Sequence, residues 1–108
     1  MKEITAKSYS LKKENGDWLG QIVLTSDGMF ASVTDYGNLS FAWRSYGDKE
    51  FRQFLVGLNV DYFGSKMYQG NTYILYSKKC KDACMRFAEK ILPALQKVLK
   101  EELEKENQ

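Results

Sequence analysis

Two cysteines, a cluster of lysines and a scatter of aspartates are the residues in this chain of 108 whose types suit chemistry. Cys80 and Cys84 stand four apart, on one face of any helix that carries them. A soft-metal site needs two more such ligands, and the chain has no histidine and no third cysteine. At that helical spacing the Cα atoms also sit near the limit for a disulfide. The pair reads as buried thiols in a reducing compartment. Without histidine, the commonest general base and the Ser-His and Cys-His nucleophile pairs are missing. Asp17, Asp27, Asp35, Asp48 and Asp61 supply carboxylates, yet no pairing for two-carboxylate hydrolysis is visible from their positions. The sequence therefore reads as a non-enzyme with no metal and no cofactor. A hydrolase of unrecognised type is a weak third alternative.

Two clusters suit binding instead. Asp35-Tyr36-Gly37-Asn38, followed by Phe41 and Trp43-Arg44, is the densest group of distinctive residues. One reading is turn chemistry, with glycine supplying a special φ and Asp and Asn bonding nearby amides. The other is a binding rim of Asp35, Tyr36, Asn38 and Arg44, because tyrosine and arginine are common interface anchors. Lys78, Lys79 and Lys81 form the second cluster, at the start of a long helix. They oppose the helix dipole, as Glu101, Glu102, Glu104 and Glu106 do at its far end. One reading is tolerance of screened surface charge. The other is an anion site, where lysines and free helix amides attract phosphate. A formal net charge of +2 is too small to indicate nucleic-acid binding by itself.

The elements that must position these residues follow from turns and period. Asn15-Gly16 and Asp27-Gly28 predict type I′ hairpin turns, and Gly37-Asn38 predicts a third turn. Between them lie strand-length segments at Ile4 to Lys12, Trp18 to Thr25, Met29 to Asp35 and Leu39 to Ser45. Close turns make antiparallel neighbours, so this is a four-stranded meander with the second strand, apolar on both faces, inside it. In the fourth, Leu39, Phe41 and Trp43 share one face. From Asp48 the period becomes helical: Phe51, Phe54, Leu55, Leu58 and Tyr62 form a stripe. Asp48 is the expected N-cap, Gly57 and Asn59 weaken the helix, and Asp61 is placed to cap a second piece reaching about Tyr68. Thr72 to Tyr76 reads as an extended segment, placed as an edge strand. A long helix capped by Ser77 follows, with Cys80, Cys84, Phe87, Ile91, Leu95 and Val98 along its stripe. Pro93 predicts a kink or a restart there. The whole is one α+β domain, residues 1–108, with no repeat. No apolar run is long enough for a membrane span, and no leader follows Met1, so a cytoplasmic location is expected.

From Trp18 to about Leu103 the chain resembles a group of small proteins encoded by bacteriophages and prophages. The residues that carry this are D-G-x-F at Asp27 to Phe30, T-D-Y-G-N at Thr34 to Asn38 and F-x-W at Phe41 to Trp43. F-x-x-F-L-x-x-L at Phe51 to Leu58 and D-Y-F-x-x-K-M at Asp61 to Met67 continue it. The resemblance brings no activity and no catalytic residue. It implies a setting, a bacterial host cell, in which small phage proteins act by binding and blocking host components, CRISPR effectors among them. The expected function is thus a stoichiometric inhibitor of a host-defence protein, such as an anti-CRISPR, with a host protein as partner. The alternative is a nucleic-acid or phosphate-binding accessory protein, using the lysine cluster and aromatics of the sheet as stacking platforms.

Overall fold

The computed structural model describes residues 3–47, 49–71 and 77–107. Four strands come first: β1 (Ala6–Lys12), β2 (Trp18–Thr25), β3 (Met29–Thr34) and β4 (Ser40–Ala42). Three helices follow: α1 (Phe51–Val56), α2 (Val60–Asn71) and α3 (Lys78–Glu106). The strands form one antiparallel sheet in the order β1-β2-β3-β4, so the fold is the expected α+β meander with a long last helix. The segment Thr72 to Tyr76 and Asp48 lie outside the described residues.

The hairpins close by a different device from the type I′ turn. Gly16, Gly28 and Gly37 have positive φ, but Asn15 and Asp27 do not. In each turn the glycine amide donates to a carbonyl three residues back, that of Lys13, Thr25 and Thr34. This is the pattern of a type I turn closed by a left-handed glycine. The third turn accordingly centres on Asp35 and Tyr36, not on Gly37-Asn38. Asn15 is used through its side chain, which accepts from the Asp17 amide at 3.0 Å.

The sheet has one covered and one bare face. Tyr9, Leu11, Ile22, Leu24 and Phe30 point to the helices and are buried. A register shift at Leu11/Lys12 leaves Leu19 as an extra residue on β2, and it too turns inward. On β3 the buried face carries Phe30, Ser32 and Thr34, while Met29 and Val33 are exposed. The hydroxyls explain this choice. Ser32 Oγ donates to the Leu39 carbonyl at 2.7 Å, and Thr34 Oγ1 donates to that of Gly37 at 2.7 Å. Both therefore hold the β3–β4 connection from inside. The bare face is built of rows such as Ser8–Val23–Ala31–Ser40 and Ser10–Gln21–Val33.

The helical layer differs from the sequence reading in phasing. The N-cap position of α1 is Glu50 rather than Asp48, and Gly57 ends the helix after six residues. Asn59 rather than Asp61 then caps α2, its Oδ1 accepting from the Tyr62 amide at 2.8 Å. This break rotates the apolar stripe, so Phe63 and Met67 are buried and Tyr62 is exposed. Ser77 caps α3 as expected, accepting from the Cys80 amide. Helix α3 runs through Pro93 without a restart. Pro93 and Glu89, whose carbonyl has no proline amide to accept from, are both exposed, so the missing bond falls on the solvent side of the helix. Phe30 meets Phe63 edge-on at 5.3 Å, and Phe63 stacks on Phe87 at 6.3 Å, tying β3, α2 and α3 together.

The two edges of the sheet are treated differently. At the β4 edge the Asn71 side chain accepts from the Ser40 amide at 3.1 Å and donates to the Ser40 carbonyl at 2.8 Å. A carboxamide thus occupies the place of a neighbouring strand. Along the outer edge of β1, no strand pairs among the described residues.

Candidate functional site

The turn after β3 brings Asp35, Tyr36 and Asn38 together and leaves Arg44 elsewhere. Asn38 Oδ1 accepts from the Thr34 amide at 3.2 Å, so this side chain serves the turn itself. Asp35 is exposed and pairs with Lys13 of the β1–β2 hairpin at 3.1 Å. That contact raises the Lys13 pKa through the hydrogen bond from its ammonium to Asp35. Tyr36 is half-buried and packs against the core. Arg44 follows Trp43, whose amide donates to the Gly28 carbonyl at the opposite end of β3. The six residues of β3 span about 20 Å. Arg44 is exposed there and pairs loosely with Asp27 at 3.5 Å. Asp35, Tyr36 and Asn38 therefore belong to one surface and Arg44 to another.

Tyr36 forms part of a groove of about 940 Å³ between the β1–β2 hairpin and α3. Leu11 and Leu19 reach it from the sheet, and Pro93, Ala94 and Val98 from α3. Lys12, Lys13, Glu14, Lys90, Lys97 and Glu101 supply charges of both signs around it. The hairpin is held in place by its own turn bonds. Among them is the Lys13 amide donating to the Asp17 carbonyl at 2.8 Å. The lining offers amines, carboxylates and one exposed serine, Ser10. A concave apolar surface with mixed charge around it suits recognition of a polypeptide surface.

A second constellation escaped the sequence reading. Arg52 on α1 makes ion pairs with Glu50, Glu102 and Glu106, that with Glu106 being two-pronged at 2.7 and 2.8 Å. Glu102 also accepts from the Tyr9 hydroxyl at 2.6 Å and pairs with Lys7 at 2.5 Å. Burial alone would raise the Glu102 pKa, but Lys7, Tyr9 and Arg52 outweigh it and bring the carboxyl down to about 2. Burial first, and then Glu102, holds the Tyr9 hydroxyl well above the usual tyrosine range. Lys7, Tyr9, Glu50, Arg52 and Glu106 of this network line a smaller cleft of about 310 Å³ with Tyr46. The signal was present in the sequence. Acids at the negative end of α3 are unfavourable unless cations reach them from elsewhere, and Lys7 and Arg52 do.

The remaining candidates stand alone. Lys78, Lys79 and Lys81 are exposed at the start of α3, whose first turn carries no acidic residue. Cys84 is buried and Cys80 half-buried, both as free thiols. Burial, helped by Cys80, pushes the Cys84 thiol up, away from reactivity. Phe41 and Trp43 pack on the helical side of the sheet, with Trp43 stacked over Phe63, so they are not open stacking platforms. On the bare face opposite, Trp18 beside Lys12 is the aromatic in these rows, exposed at the hairpin end. Among the described residues no group of three potential ligands is gathered for a metal ion. Nor is any helix long and apolar enough to cross a membrane.

A four-stranded meander backed by three helices, with a groove under its first hairpin, defines a small α+β protein. Over residues 1–86 the chain matches the model of Phage_phiTE_072, described as a phage family, and it belongs to that family. The match takes in the hairpin and Tyr36, while the α3 wall of the groove lies beyond it. No curated protein and no solved structure matches the chain.

Proposed function

We propose that this phage-family protein is a non-enzymatic binding protein that acts stoichiometrically on a host protein. A component of host defence is the target class, and an anti-CRISPR is one form such an inhibitor takes. The observation that carries this reading is the groove between hairpin and α3, with Tyr36 on its wall and Lys13–Asp35 beside it. An aromatic anchor set in an apolar depression with a charged surround is the usual composition of an energetic centre in a protein interface. Arg44 lies outside this surface and is not part of the proposed contact. The alternative, phosphate or nucleic-acid binding, rests on Lys78, Lys79 and Lys81 at the start of α3.

Affinity capture from host lysate separates the two. The parent protein is expected to retain a host protein that Tyr36→Ala and the exposed-wall variant Lys97→Glu lose. The triple Lys78, Lys79, Lys81→Gln variant should retain it. Circular dichroism of each variant controls for folding, because Tyr36 also contributes to packing. Fluorescence anisotropy with labelled DNA and RNA is expected to show no binding at low salt. Binding that falls steeply with salt, and that the triple variant abolishes, would replace the first reading by the second.

A further inference from the structure

The hydrogen-bond parity of β1 shows what its open edge presents. The Ser26 amide donates to the Thr5 carbonyl at 2.9 Å, and the register continues as Lys7↔Leu24, Tyr9↔Ile22 and Leu11↔Gly20. In an antiparallel ladder, bonded and non-bonded pairs alternate. Lys7, Tyr9 and Leu11 therefore direct their amides and carbonyls to β2. Ala6, Ser8 and Ser10 direct theirs outward, where no strand meets them among the described residues. The β4 edge, by contrast, has its outward Ser40 groups taken by Asn71.

We propose that the open edge of β1 pairs antiparallel with β1 of a second copy, about a twofold axis at Tyr9, joining the two sheets into one. The register centred on Tyr9 is the one that pairs all seven residues of the strand with its copy. It sets Ser8 against Ser10, Lys7 against Leu11 and Ala6 against Lys12, each from the opposite protomer. The outward-pointing groups then bond each other through Ser8 and Ser10 on both sides of the axis. No like charges face one another, which is the usual obstacle to pairing strands that carry lysine. Lys7 is further neutralised by Glu102. The bare faces continue across the junction, with Lys12 at each end of the paired strands facing Ala6 of the other copy rather than a like charge. Pairing over one strand is a small interface against the ~1,200–2,000 Å² of a standard one, so the dimer is concentration-dependent. This inference does not depend on the identity of any host target.

Sedimentation velocity of the full chain from low to high micromolar concentration is the test. The parent is expected to shift from monomer to dimer across that range. Ser8→Pro and Ser10→Pro each remove an outward amide and leave the β2 ladder whole, so both should stay monomeric with circular dichroism unchanged. A parent that is monomeric throughout overturns the proposal, as does a dimer that persists in both folded proline variants. Should the variants fail to fold, amide exchange on the parent decides. Protection of the Ser8 and Ser10 amides that grows with concentration supports the pairing, and fast exchange at every concentration overturns it.

Discussion

At Glu102, three side chains from β1 and α1 converge, and their effect on its proton opposes that of burial. Its carboxyl titrates at about 2, below the ordinary carboxylate value, because Lys7, Tyr9 and Arg52 favour the ionised form more than burial opposes it. A depressed carboxylate contributes stability that is present above its unfolded pKa and lost as pH falls through its folded one. Glu102→Gln should therefore lower stability at neutral pH by about 1.5–3 kcal/mol, the range for hydrogen bonds to charged groups. The gap to the parent should close as pH falls from the ordinary carboxylate range towards 2, read from thermal melts across that range. Two glycines make a second residue-scale pair. Gly16 and Gly28 both have positive φ, but a Cβ at Gly16 meets nothing within 4 Å, whereas at Gly28 it would lie 2.2 Å from the Trp43 carbonyl oxygen. Gly16→Ala should cost about 1 kcal/mol, the conformational penalty alone. Gly28→Ala should cost several times more, because the β3–β4 backbone must shift. Equal denaturation midpoints would contradict this.

Among the elements, α1 is the least self-sufficient. It has six residues and no side-chain N-cap bond, and isolated helices of that length are marginal at best. Its C-terminal end is held by Gln96 of α3, whose Nε2 donates to the carbonyls of Leu55, Val56 and Leu58 at 3.0, 3.1 and 2.8 Å. Gln96→Leu keeps the apolar volume and removes the donor. It should cost about 1–3 kcal/mol through the unsatisfied carbonyls, measured by chemical denaturation, with amide exchange faster in α1 than in α3. The strands, their order and the Ser77 cap of α3 were legible in the sequence, because turn glycines and the change of hydrophobic period are local signals. The start of α2 at Asn59 was not, since Asn59 and Asp61 are both good caps and tertiary burial of Phe63 decides between them. The buried choice of Ser32 and Thr34 was hidden for the same reason: their partners, Leu39 and Gly37, are found only once the hairpin exists.

For the whole molecule, the candidate site was half legible. Asp35, Tyr36 and Asn38 were close in sequence and remain close in space. Arg44 was nearly as close in sequence, but the return along β4 carried it to the far end of the sheet. The α3 wall of the groove was invisible beforehand, because nothing in a helical stripe says which strand its flank will meet. The asymmetry of the sheet has a consequence for how the protein can aggregate. A sheet with two free edges can add copies at both ends and grow without limit. Here Asn71 stoppers one end, so edge pairing between copies exhausts itself after a single event. Edge pairing along this route would then end in a discrete dimer, with no filament to nucleate. One asparagine side chain would set that stoichiometric limit.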